Sequence, residues 1–138
     1  MGEADLHAVA QSVVEAEQQT SAEIRVHLDH RCPGDPLPRA VAVFERLGMH
    51  RTRHKNAVLI YVAAADRKLA VIGDASIHER VGEAYWQRLV AATLAHLRDA
   101  RPRDGLVEAV RDVGAALRAH FPRRPDDRNE LTDEVSLG

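Results

Sequence analysis

The sequence predicts an α/β fold: a three-layer α/β/α sandwich around a small mixed sheet. Three observations carry that expectation. Residues 58–62 are apolar at every position, the pattern of a strand buried on both faces. Residues 69–72 form a second apolar run behind the polar hinge Ala65-Asp66-Arg67-Lys68, which suits a hairpin. Helical periodicities flank this block on both sides, giving the order helix, strand, helix, strand, strand, helix, helix. The first two strands are joined through a helix and should run parallel with a right-handed crossover. The third should lie antiparallel to the second.

Each element follows from its own pattern. Leu6, Val9, Val13 and Ala16 recur at helical spacing over residues 4–18. Ile24, Val26 and Leu28 alternate with Arg25 and His27, which marks a half-polar strand at or near a sheet edge. Pro33, Pro36 and Pro38 forbid its continuation, because proline removes ladder donors. A second helix should place Leu37, Val41, Phe44 and Leu47 inward, with Gly48 after its end. Residues 49–55 read as a basic loop. Ser76 and Glu79 have capping-box spacing and should open a long helix to about residue 99, with Val81, Tyr85, Leu89 and Ala92 on one stripe. Trp86 is expected to anchor packing. Leu106, Val110, Val113, Leu117 and Phe121 mark a last helix, stopped by Pro122. Residues 1–122 thus form one domain, and residues 123–138 an acidic tail packed on it or loosely attached.

Composition narrows the functional classes. A chain of 138 residues, 45% hydrophobic and 29% charged, fits one soluble core. A net charge of -2 gives no global attraction to nucleic acid or anionic membrane. The longest apolar run, residues 57–65, falls short of the ~20 residues of a membrane helix. The opening MGEADLHAVAQ has acids and no apolar core region, so no signal peptide is expected. Cys32 alone cannot form an internal disulfide and fits a reducing compartment, with the cytoplasm as default and a monomer as the default state.

The order and spacing of several segments resemble the TPM-domain family of phosphatase-like domains, in a short soluble bacterial branch. They are Thr20-Ser-Ala-Glu23-Ile-Arg-Val, Phe44-Glu-Arg-Leu-Gly48-Met, Asn56-Ala-Val-Leu-Ile-Tyr-Val, Asp66-Arg67 and Gly73-Asp74. Trp86, Gly105-Leu106 and the tail from Asp126 to Gly138 extend the likeness. The resemblance implies an α/β/α fold, divalent-cation (calcium) binding, and phosphatase activity for some members.

Topology sorts the candidate chemistry onto two edges. Asp29, Asp35 and Asp66 should meet at the carboxyl ends of the parallel strands, where α/β sheets bind ligands. Together they could hold a hard cation such as calcium, which takes six to eight oxygen ligands. His27, His30 and Cys32 gather zinc-type donors, yet strand alternation separates the imidazoles and a fourth ligand is missing. Cys32 and Arg39 are one residue too far apart for a cysteine-phosphatase loop, and the prolines between them oppose it. At the opposite edge, Arg51, Arg53, Lys55 and the amides near Ser76 could bind an anion or a partner. The tail, with five acids and one Arg between residues 126 and 134, is expected to fold over that basic loop. The reading favours a non-enzymatic module for a divalent cation or a protein partner, in solution or at a membrane surface. The alternative is a metal-dependent phosphatase acting on phosphomonoesters. Nucleic-acid binding is not expected.

Overall fold

A computed structural model describes residues 1–52, 55–123 and 135–138. The chain runs α1 (Glu3–Glu17), β1 (Glu23–Asp29), α2 (Pro36–Arg46), a 3-10 turn (Met49–Arg51), β2 (Ala57–Ala63) and β3 (Lys68–Gly73). It continues through α3 (Ala75–Val81), α4 (Glu83–Arg98), α5 (Pro102–His120) and β4 (Ser136–Leu137). The sheet order is β3-β2-β1-β4. β1 and β2 are parallel in the register Glu23↔Ala57 to Asp29↔Ala63, and β3 is antiparallel to β2, as expected.

The uniformly apolar run becomes β2, buried at all seven positions because helices cover both its faces. On one face Val58, Ile60 and Val62 join Val9 and Val13 of α1, Leu89 of α4 and Leu106, Val110 and Val113 of α5. On the other, Leu59 and Tyr61 pack with Ala40, Val43 and Phe44 of α2 and with Met49. Trp86 is buried against Gly73, where an added Cβ would lie 2.5 Å from Trp86 Cζ2.

Several expectations are corrected. Among the described residues the sheet has four strands: Ser136 and Leu137 pair parallel with His27 and Leu28, so the end of the tail sits at the carboxyl edge, away from the basic loop. The acids of residues 126–134 lie outside the described residues. β1 lies next to the border of the sheet, as expected, but its polar face is buried at Glu23, His27 and Asp29. The long helix breaks at Gly82, whose φ of 79° and ψ of 163° suit glycine alone. Asp74, not Ser76, caps α3: its carboxylate accepts from the Ala75 amide. The buried stripe of α4 is Trp86, Leu89, Thr93 and Leu97, while Ala92 faces out. On α2 the inward residues are Ala40, Val43 and Phe44; Leu37 and Val41 are 49% and 40% exposed.

Candidate functional site

Two features stand out: a buried polar cluster at the carboxyl end of β1 and an apolar groove along β3. The parallel register places His27 opposite Tyr61, and their rings stack with centroids 5.7 Å apart. Asp29, two residues further along the same face, accepts from Tyr61 Oη at 2.6 Å and from Arg39 Nε at 2.9 Å on Oδ2. Its Oδ1 lies 2.9 Å from His27 Nε2 and 3.4 Å from Arg39 Nη2. Burial alone would raise the Asp29 carboxyl, but the hydrogen bonds from Arg39, Tyr61 and His27 prevail and hold it well below the usual range. Burial pushes the Tyr61 phenol up, and its bond to Asp29 adds to that. Burial likewise pushes His27 down, against the pull of Asp29. An ionised Asp29 only accepts, so Nε2 carries the imidazole proton and Nδ1 accepts from Ser136 Oγ at 3.0 Å.

Serine, imidazole and carboxylate thus form a chain, but not one arranged to activate a nucleophile. Asp29 is already shared with Arg39 and Tyr61, which weakens its support for an imidazolium, and His27 is fully buried. The chain fastens β4 to β1.

The three candidate cation ligands are near one another in the topology but are separately engaged. Asp35 caps α2 by accepting from the Leu37 amide at 2.9 Å. Asp66 accepts from Arg31 Nη1 at 3.2 Å and from the Cys32 amide at 2.8 Å. Asp29 and Asp35 share the lining of a cavity of about 480 Å³ with Arg31, Cys32 and Arg39. The Arg39 guanidinium sits where a cation on Asp29 would have to sit, so this donor set does not fit calcium as it stands. Among the described residues no group of three or more His, Cys, Asp and Glu side chains could hold a metal ion.

At the opposite edge, Asp74 N donates to Ala57 O at 2.9 Å, so Lys55 just before β2 and Ser76 just after β3 share that edge. Arg51 ends the 3-10 turn and is exposed, and Lys55 Nζ donates to His50 O at 2.5 Å. Arg53 lies outside the described residues. Ser76 is in the first turn of a helix of seven residues, too short to add much of a dipole.

The groove was invisible in sequence. β3 is the border strand, and its ladder to β2 fixes which backbone groups look outward. Since Asp74 donates to Ala57, alternation turns Ile72 and Ala70 toward β2 and leaves Leu69, Val71 and Gly73 facing out. Leu69 and Val71 floor a groove of about 450 Å³ walled by Leu37 of α2 and by Trp86, Val90 and Leu94 of α4. Nothing in a hydropathy pattern distinguishes such a border from an inner strand.

The parallel β1–β2 pair crossed over by a helix, the β2–β3 hairpin and the helical layers on both faces define a three-layer α/β/α domain with a mixed sheet. The chain belongs to the TPM-domain family, whose profile matches residues 2–116. The NMR structure of the BA42 protein from the psychrophilic bacterium Bizionia argentinensis is similar, with a TM-score of 0.91 and 34% identity over 100% of this chain and 95% of that one. The N-terminal domain of a P. gingivalis protein gives a TM-score of 0.71 at 14% identity, covering 88% of this chain and 78% of that one. The N-terminal domain of the cg2496 protein from Corynebacterium glutamicum gives 0.62 at 14%, covering 85% and 74%. At that identity the last two speak for the fold alone. No curated protein matches the chain. Among the described residues no helix is long and apolar enough to cross a membrane.

Proposed function

We propose that this TPM domain is a protein-binding module that takes an extended segment of a partner as an added strand along β3. One observation carries the reading: the outward backbone groups of Leu69 and Val71 lie at the floor of an apolar groove between two helical walls. Strand addition draws affinity from main-chain hydrogen bonds and specificity from pockets for alternate side chains. Leu37, Val90 and Leu94 supply such apolar contacts. Asp35, Glu83 and Arg98 on the rim would suit a segment with charged flanks.

The test is a random-peptide selection against the whole chain, with Val71→Pro as the counter-selected variant. The Val71 N–H faces outward and serves no ladder bond, so proline is tolerable there for the fold. Selected peptides should alternate apolar residues and protect the Leu69 and Val71 amides from hydrogen exchange. Peptides held equally well by Val71→Pro would sink the reading.

A second reading, a divalent cation such as calcium at the carboxyl edge, is favoured by the cavity that Asp29 and Asp35 share. It requires Arg39 to swing away from Asp29. Phosphomonoester hydrolysis of the metal-dependent kind would rest on that same cation. Calcium titration followed by NMR separates the two readings, because binding there must move Asp29 and Arg39 side-chain signals.

A further inference from the structure

The outer border of β1 carries a second, differently built strand site. The amide of Glu23 donates to Asn56 O, so by alternation His27 and Asp29 turn their backbone groups toward β2 while Leu28 turns its own toward β4. The Gly138 amide donates to Leu28 O at 3.1 Å, completing a parallel ladder of two residue pairs. So short a ladder has little to hold it except its side-chain contacts, and those are specific. Ser136 Oγ meets His27 Nδ1 at 3.0 Å, and that imidazole is fully buried and fixed from its other nitrogen by Asp29. At position 138 an added Cβ would come within 2.4 Å of Asp29 Oδ1 and 2.6 Å of His27 Nε2. Neither atom can retreat without breaking the cluster around Asp29. Between them Leu137 is 61% exposed and meets no such demand. Towards the start of β1 the border is closed, because Glu17 Oε2 accepts from the Ile24 amide at 2.7 Å.

We propose that the carboxyl half of the β1 border is a strand-binding site that reads the pattern Ser-x-Gly. Residues 135–138 are its built-in occupant, and an extended peptide segment of the same pattern from another protein is its exchange ligand. The serine satisfies the one free acceptor of His27. The glycine is demanded by the closeness of Asp29, and the residue between them is unconstrained. The site is distinct from the groove on β3, which lies across the sheet and selects apolar side chains rather than this polar and small pair.

A tethered occupant competes at an effective concentration of millimolar order, so the test starts from a full-length chain whose own segment is disabled. Gly138→Val, labelled with 15N, should move the His27 ring signals and speed exchange of the Leu28 amide at least tenfold. Adding an eight-residue peptide copying residues 131–138 at millimolar concentration should restore both. The same peptide with valine in place of its glycine, or alanine in place of its serine, should bind at least tenfold more weakly. Unmoved His27 and Leu28 signals in Gly138→Val, or equal binding of the valine peptide, would overturn the proposal. So would contacts between β1 and β4 that isotope filtering assigns to two different copies of the wild-type chain. Core methyl signals of Ile24 and Val58 report whether the variant is intact. If they move, Ser136→Ala takes its place, with the same faster Leu28 exchange expected and unchanged exchange counting against the site.

Discussion

Replacing Tyr61 by Phe keeps the buried ring and its stack on His27 but deletes the hydroxyl that donates to Asp29 at 2.6 Å. A hydrogen bond to a charged acceptor contributes ~1.5–3 kcal/mol. With Tyr61 fully buried and Asp29 6% exposed, water has little room to replace it. Arg39 and His27 still hold the carboxylate, so the cost stays below the ~3–5 kcal/mol of an orphaned buried charge. The expected loss is about 2 kcal/mol, or roughly 7 °C in Tm for a chain of this length, with an unchanged m-value in urea. The pH dependence gives a sharper check. Asp29 is held below its ordinary value of 3.8, so its contribution is present above that pH and is lost as pH falls below it. Without the Tyr61 bond the Asp29 carboxyl returns upward, and less stability remains to be lost in acid. The gap between wild type and Tyr61→Phe should therefore narrow as pH falls below about 3.8. Urea titrations at a series of pH values measure it. A neutral-pH loss under ~0.5 kcal/mol, or a gap that ignores acid, refutes the account of the cluster.

Two further perturbations probe neighbouring parts. Burial lowers His27 below its ordinary 6.5, so the folded chain holds the imidazole neutral to a lower pH than the unfolded chain does. Stability should then fall as pH drops below 6.5, and His27→Gln should fall less over the same range; parallel urea midpoints at pH 7.5 and 5.5 would contradict this. Gly73→Ala forces a Cβ to within 2.5 Å of the Trp86 ring, which its Nε1–H donation to His78 Nδ1 helps to fix. Thermal unfolding should show a loss of ~1–3 kcal/mol, part of it recovered by adding Trp86→Phe.

The scaffold was legible wherever burial wrote a continuous or periodic pattern. The apolar run of β2, the hairpin to β3 and the stripe of α5 are of that kind. The polar cluster was not. Alternation in β1 looks the same whether the polar face meets water or a buried network, and the partners that decide it, Arg39 and Tyr61, lie 10 and 32 residues from Asp29. On α2, apolar residues cover two adjoining stripes. Packing against the sheet selects the one with the small Ala40, which frees Leu37 for the groove and leaves Val41 exposed. β4 is two residues long, below the reach of any periodicity argument. Of the candidate cation ligands, the sequence located all three near one edge but could not show that Arg39, Arg31 and two backbone amides already occupy them.

The Glu17 carboxylate at the Ile24 amide has a consequence for how copies of this chain can associate. While β4 is seated, it and this carboxylate cover one flank of the sheet among the described residues and leave the β3 flank open to another strand. Fibrils need two joinable flanks per molecule, since each subunit must pass the ladder on. A molecule with one can pair once and stop. While the chain's own residues 135–138 keep that seat, self-association through the sheet should therefore end at a two-fold dimer and not propagate, and the glutamate contributes to that limit.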